Sequence, residues 1–279
     1  MRKIIAAIDG LKYSDSVTKY AVSLAKESSS LLVGVFLEDF TYHSYKTYEV
    51  IGDDRVSTEA RELLEEQDKE AREESLANFR KDCQQAGISY SIHHDRNIAM
   101  RELLHESVYA DLLVIDRKET LTHYDETIPT RFVRDLLNEV QCPVLIVPQV
   151  YRPIEKLVLL YDGEPSSVYA IRTFSYVLPT LKQLDTEVIS VKHPNETGHV
   201  PDNRLMKEFM KRHYPKVEYT VLNGTPEEEI VIHLDEEDRN MLIVLGAYRR
   251  GMVSRWFRRS MADTLMEESN ACLFIAPNK

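Results

Sequence analysis

At 279 residues the chain is long for one hydrophobic core and comfortable for two domains of ordinary size. Its 43% hydrophobic and 29% charged residues describe a soluble globular protein, and a formal net charge of −11 argues against nonspecific duplex DNA binding, which needs basic surface to displace counterions. No apolar run reaches the length that spans a bilayer, and Met1-Arg2-Lys3 leads straight into a strand rather than a signal peptide, so the expected setting is the cytoplasm, with no nucleic-acid and no membrane partner.

The apolar runs 4–8, 31–37, 112–115 and 144–147 are short and rich in Val, Ile and Leu, as strands buried on both faces of a parallel sheet are. After the first run, Val17, Tyr20, Ala21, Leu24 and Ala25 keep one face of a helix, with Ser14 or Asp15 available as its cap. A tyrosine-rich stretch, Tyr42 to Tyr48, precedes a charged helix over roughly 55–86. Its thin stripe of Leu63, Leu64, Ala71, Phe79 and Cys83 predicts a solvated helix covering one sheet face, ahead of a partner-binding arm. The cysteines Cys83, Cys142 and Cys272 lack C-x-x-C spacing and cannot all pair; Cys142 and Cys272 sit beside strands, where cysteine is a small apolar residue. Tyr151-Arg-Pro153 reads as a short linker.

Beyond that linker the pattern returns. Lys3-Ile-Ile-Ala-Ala-Ile-Asp-Gly10 is matched by Lys156-Leu-Val-Leu-Leu-Tyr-Asp-Gly163, and Ala110–Asp116 by Asn240–Gly246. Gln141-Cys-Pro-Val-Leu-Ile-Val-Pro148 is matched by Asn270-Ala-Cys-Leu-Phe-Ile-Ala-Pro277. Three matched segments in the same order mean two copies of one domain. In the second copy Ala170, Phe174, Val177 and Leu178 occupy the helix face, and Thr225-Pro-Glu-Glu228 predicts a helix start with a capping threonine, a first-turn proline and a glutamate closing the box. The expected fold is therefore α/β: two tandem doubly wound parallel-sheet domains, residues 1–150 and 151–279. The copies are 153 residues apart at the first strand and 130 at the fourth, so the first carries about 23 additional residues, placed in the tyrosine-rich stretch and the charged helix.

In such sheets ligands sit at the carboxyl ends of the strands, where strand order reverses. The loop after the first strand carries Asp-Gly in both copies (Asp9-Gly10, Asp162-Gly163): a carboxylate that can accept from a sugar hydroxyl or a base amine, although Asp-Gly is also a common turn. After the fourth strand the copies part. The second reads Gly246-Ala-Tyr-Arg-Arg-Gly-Met-Val-Ser-Arg-Trp-Phe-Arg-Arg-Ser260, and a helical pattern begins at Met261. Gly246 and Gly251 permit close backbone approach, Ser260 sits at a helix start that favours anions, and five arginines (Arg249, Arg250, Arg255, Arg258, Arg259) concentrate positive charge suited to phosphate. Interface salt bridges are the competing use of those arginines. The first copy reads Asp116 to Thr130 without a glycine, and Asp116, Glu119, Asp125 and Glu126 would repel phosphate.

These segments resemble the universal stress protein family in a tandem form: an opening strand ending in Asp-Gly, an Ala-Asp-Leu-Leu-Val-Ile fourth strand, and a closing Cys-Pro-Val-Leu-Ile-Val-Pro strand. The family's nucleotide-binding members carry Gly-x-x-Gly, nine residues, then Gly-Ser or Gly-Thr. On the second copy this lays Gly246, Arg249, Arg259 and Ser260 on the motif, two glycines being arginine with Gly251 nearby. The resemblance implies ATP or a related nucleotide, with Mg, in the second domain. Asp162 would touch the nucleoside, with Gly163 beside it, Val191 would lie beside the base, and Gly246, Ser260 and Met261 would meet phosphate. Arg249 and Arg259 would either fill the phosphate volume or neutralise it. On the first copy the motif's first glycine falls on Asp116 and its serine on Arg131, which implies a half that does not bind ATP. The resemblance further implies that Val144–Val147 and Leu273–Ala276 pair antiparallel about a pseudo-twofold axis within one chain, that a homodimer of chains is plausible, and that the protein is a noncatalytic stress-response module with at most weak nucleotide hydrolysis. A protein-interaction scaffold without nucleotide is the alternative.

Other residues point elsewhere only weakly. His93 and His94 face opposite sides of a strand and cannot grip one metal ion without a turn, so no metal site is expected. No G-x-S-x-G elbow or Lys-Ser/Thr P-loop ending is present, and no catalytic residue is proposed. Trp256-Phe257 reads as a core anchor for the last helix ahead of a stacking platform for adenine.

Overall fold

A computed structural model describes residues 1–38, 58–94, 99–122, 124–192, 198–246 and 260–277. The chain divides into two compact units, Arg2–Val140 and Gln141–Lys279. In the first, strands β1 (Lys3–Asp9), β2 (Leu31–Leu37), β3 (Tyr90–His93) and β4 (Leu112–Asp116) run parallel in the order β3-β2-β1-β4. They alternate with helices α1 (Asp15–Ser28), α2 (Thr58–Ala86), α3 (Ala99–Ser107) and α4 (Arg131–Glu139). The four runs expected to be strands are strands. Val17, Tyr20, Ala21, Leu24 and Ala25 are all buried, and Ser14 caps α1 by accepting from the Val17 N–H at 3.3 Å.

The second unit holds β5 (Val144–Val147), β6 (Lys156–Leu160), β7 (Asp185–Lys192), β8 (Glu218–Asn223), β9 (Met241–Gly246) and β10 (Cys272–Ala276), with α5 (Pro165–Val177), α6 (Asn203–His213), α7 (Pro226–Asp235) and α8 (Met261–Glu268). Strands β6 to β10 are parallel in the order β10-β9-β6-β7-β8. Strand β5, which closes the first repeat in sequence, belongs to this second unit because it pairs antiparallel with β10, Leu145 opposite Phe274 and Ile146 opposite Leu273. That is the strand pairing the sequence resemblance implied. Every side chain of β5 is at most 1% exposed, and Leu273 and Phe274 are equally enclosed, so the pairing is sealed by apolar contact on both faces.

The additional residues of the first repeat include α2, which covers one sheet face as expected, but with a different buried stripe. Asp68, Ser75, Phe79 and Cys83 are buried, whereas Leu63 is exposed. The apolar end packs in a notch of β2: Phe79 lies edge-on to Phe36 and Tyr90, and a Cβ on Gly34 would stand 2.8 Å from the Phe79 ring. The polar end reaches the carboxyl edge of the sheet, where the Ser75 hydroxyl donates to the Gly10 carbonyl at 2.9 Å and Arg72 pairs with Glu38 at 3.3 Å.

One helix start differs from expectation. Thr225 is the N-cap of α7 but its side chain accepts no capping hydrogen bond, so no capping box forms with Glu228; Pro226, with its preset φ, starts the helix instead. The box is formed at α8, where the Ser260 hydroxyl accepts from the Asp263 N–H at 2.9 Å and the Asp263 carboxylate accepts from the Ser260 N–H at 3.4 Å.

Both units tie the opening lysine of their first strand to acids. Lys3 pairs with Glu106 at 2.7 Å and Glu106 also meets His93; Lys156 pairs with Glu187 at 2.8 Å and Glu237 at 2.7 Å, while Glu187 also meets His233 at 2.9 Å. His94 goes to a different carboxylate, Glu38, at 2.8 Å, so the adjacent histidines serve separate partners.

Two outcomes follow. Leu145→Ala removes a fully enclosed side chain facing β10 and should cost about 2–5 kcal/mol of unfolding free energy in urea titration. Lys156→Met leaves the buried Glu187 carboxylate without its ammonium and should cost about 1–3 kcal/mol at neutral pH. Hydrogen bonds from Lys156, Thr220 and His233 outweigh burial and hold Glu187 below the usual carboxylate range. Its contribution is therefore complete above that range and lost as pH falls through the depressed value, and in Lys156→Met the acid-side loss should begin at higher pH.

Candidate functional site

Strand order in the second unit reverses between β6 and β9, and a cavity of about 270 Å³ opens at the carboxyl ends of these strands and of β7. Leu160, Ile189, Val191, Ile230 and Leu245 supply its apolar walls; Asp162, Ser166, Ser167 and Glu227 supply its polar groups; Gly246 and Met261 lie at the β9 and α8 side. Among the expected nucleotide contacts, Asp162, Val191, Gly246 and Met261 thus line one cavity. Arg249, Gly251 and Arg259, like Trp256-Phe257 and the tyrosine-rich stretch, lie outside the described residues.

Each of these residues has a local reason for its place. Asp162 is exposed at the end of β6, and one carboxylate oxygen, Oδ1, accepts from the Glu164 N–H at 2.9 Å and the Ser167 hydroxyl at 2.7 Å. Those bonds fix the side chain and leave Oδ2 to accept from a ligand. Gly163 adopts φ +88°, and a Cβ there would meet Pro201 at 2.9 Å, so the turn itself requires a glycine. At Gly246 a Cβ would stand 2.7 Å from the Ser166 carbonyl carbon and 2.9 Å from the Ser167 nitrogen. Packing of α5 against β9 therefore demands a glycine at the cavity edge, independently of what the cavity holds.

Ser260 is 5% exposed and its hydroxyl is committed to the capping box of α8. With the Asp263 N–H satisfied by that hydroxyl, the first-turn donors left to an anion are the Met261 and Ala262 N–H groups. Pro226 and Glu227 were read from sequence only as part of a helix start, and Ser166, Ser167 and Ile230 were not singled out. The first-turn signal of α7 was legible, but nothing in the sequence says that the starts of α5 and α7 converge on one cavity.

The corresponding edge of the first unit is built differently. The motif serine had been laid on Arg131, but the residue equivalent to Ser260 is Thr130: it is the N-cap of α4, and its hydroxyl accepts from the Val133 N–H at 3.2 Å. A cap needs a side-chain oxygen outside the first helical turn, and Arg131 is instead the first helical residue, its side chain 87% exposed. Counting back from Thr130 puts Glu119 on the motif's second glycine position and Asp116 on its first.

Carboxylates crowd this edge. Asp9 is 1% exposed and accepts from the Leu11 and Lys12 N–H groups at 2.8 and 3.2 Å. Asp116, 8% exposed, accepts from the Lys118 N–H and the Ser14 hydroxyl, both at 2.9 Å. Glu119 is equally buried, and its Oε1 accepts from the Thr120 and Leu121 N–H groups, both at 3.0 Å. Burial first, then the charges of Asp9 and Asp116, push the Glu119 carboxyl up to about 8. Among the described residues, no group of three or more His, Cys, Asp or Glu is arranged to hold a metal ion.

The comparisons agree with this architecture. A solved universal stress protein from Archaeoglobus fulgidus DSM 4304 superposes with a TM-score of 0.70 at 15% identity, covering 99% of this chain and 96% of that one. A functionally unknown protein from Pseudomonas aeruginosa PAO1 superposes with a TM-score of 0.62 at 15% identity, covering 99% and 92%. A universal stress protein in complex with cAMP matches 44% of this chain and 96% of its own, at a TM-score of 0.36 and 16% identity. Sequence comparison with curated proteins gives no match. No helix among the described residues is long and apolar enough to cross a membrane. The model of the universal stress protein family matches residues 1–148, more than half of the chain, and the chain belongs to that family.

Proposed function

We propose that this tandem universal stress protein is a noncatalytic module that takes one adenine-type nucleotide per chain, in the second domain. The observation that carries the reading is the cavity at the β6/β9 switch point, which places an available carboxylate oxygen, an apolar slot and a helix N-terminus around one volume. A nucleoside suits about 270 Å³ of mostly apolar space. Asp162 Oδ2 would accept from ribose hydroxyls, and Val191 with Ile189 would flank the base. Phosphates would extend to the Met261 and Ala262 N–H groups and to Arg249 and Arg259, with Mg accompanying a triphosphate. The bound nucleotide contributes charge to be read out; Asp162 orients its sugar and the α8 start steadies its anion. The first domain would be a structural partner, and homodimer formation belongs to the same family-based reading.

Thermal melting with and without ATP and Mg tests the site. Gly246→Asp is a poor probe, because its new side chain would collide with α5 whatever the ligand. Val191→Trp fills the slot, and Asp162→Ala removes the sugar acceptor. Either should abolish the ATP-induced rise in Tm, while Asp116→Gly in the first domain should neither create nor alter one. A wild-type chain that shows no rise, and that releases no nucleotide on denaturation, would favour the protein-interaction scaffold instead.

A further inference from the structure

Three consecutive glutamates fall in the first turn of α7, and each is placed differently. Glu229 lies over the turn that precedes the helix, where a Cβ on Gly224 would stand 2.4 Å from its Oε1. Glu228 is exposed. Glu227 is half-buried and lines the cavity of the second unit, beside Pro226 and with Ile230 three residues on, the spacing that puts two residues on one helix face. The positive end of the helix favours an acid here, and the Thr225 side chain makes no capping bond that would compete for the first turn. Among the described residues, no hydrogen bond or ion pair takes the Glu227 carboxylate.

The sheet decides which part of a ligand this carboxylate meets. The strand ends follow one another in the order β9, β6, β7, β8, and α7 starts just beyond β8. At about 4.8 Å per strand the crevice runs about 14 Å from the Met261 side to the α7 side. The polar side chains lining the cavity stand at two places along that line. Asp162, Ser166 and Ser167 belong to the β6 end and the α5 start, the apolar Ile189 and Val191 of β7 follow, and Glu227 is the one polar side chain that α7 adds among the described residues.

With the sugar at Asp162 and the base at Val191, as proposed above and as the assignment of Glu227 requires, the edge of the base farthest from the sugar reaches the start of α7. In a purine that edge carries the group on carbon 6, an amine in adenine and a carbonyl oxygen in guanine and hypoxanthine. An ionised carboxylate only accepts hydrogen bonds, so it takes an amine N–H and repels the lone pairs of a carbonyl oxygen. We propose that Glu227 is the base-selecting residue of the second unit: its carboxylate accepts from the amine on purine carbon 6 and admits adenine nucleotides ahead of those that carry oxygen there. Glu227→Gln is the informative change, because the side-chain amide keeps an accepting oxygen for the amine and adds an N–H for the carbonyl, at nearly the same size.

The test uses the full chain, with ATP and inosine triphosphate, which replaces the amine by oxygen, as the probes. Calorimetric titration in the presence of Mg should give a dissociation constant about tenfold or more lower for ATP in the wild type, the usual scale for a hydrogen bond to a charged group. In Glu227→Gln, and in Glu227→Ala as a second variant, the gap should shrink to about threefold or less. Glu228→Gln, next to it and exposed, should keep the wild-type gap. Equal affinities in the wild type, or a gap that survives both changes at Glu227, would overturn the role of Glu227 while leaving nucleotide binding in the second domain intact. A wild type that binds neither probe would overturn both.

Discussion

The antiparallel seam between β5 and β10 is the constraint on which the second unit depends. Without β5, the last strand of the chain would present an open row of N–H and C=O groups, the arrangement that invites pairing with another chain. With it, β10 and β9 are interior strands, enclosed on both faces and fixed in register, Phe274 against Leu145 and Val244 against Phe274. The β6/β9 crevice is consequently framed by strands that cannot slip without exposing their apolar side chains. A preformed cavity needs such a frame, because a loosely held strand end would collapse into a space of about 270 Å³.

Given a common skeleton, the two repeats have spent their carboxyl edges differently. The second keeps an edge where Asp162 is exposed and the start of α5 packs closely over Gly246. The first has replaced that glycine with Asp116, placed Glu119 three residues on, and laid α2 along the sheet with Ser75 and Arg72 at the edge. Burying several carboxyl groups side by side is costly unless each is hydrogen-bonded or holds a proton, and the backbone donors around Asp9, Asp116 and Glu119 supply the bonds. The family model matches the repeat whose edge is filled, which is a reminder that strand skeleton and site chemistry diverge separately.

The sequence made the skeleton legible because parallel strands buried on both faces need unbroken apolar runs, and each run was found where it was read. Asp162, Val191, Gly246 and Met261 could be gathered by the family resemblance, since all sit within a residue or two of a strand or helix end. Polar burial was not legible. Asp68, Arg72 and Ser75 share the inner face of α2 with Phe79 and Cys83, but a stripe that changes from polar to apolar along its length has no amphipathic signature. Glu119, in a loop, looks like any solvated glutamate until its backbone partners are seen. The motif spacing counted from Asp116 reaches Thr130 rather than Arg131, and the cap of α4 lies there, whereas Thr225 had every local mark of a capping box that its side chain does not make.

The notch at Gly34 sets the terms on which a repeat can acquire a covering helix. The Phe79 ring sits where a β-carbon would be, so the strand had to surrender a side chain for the helix to seat. The equivalent position in the second repeat, reading from the matched registers of Lys3 with Leu31 and Lys156 with Asp185, is Val188, fully enclosed and already filling that volume. Grafting α2 onto the second repeat would therefore require hollowing the receiving strand first, and the two halves are not interchangeable parts.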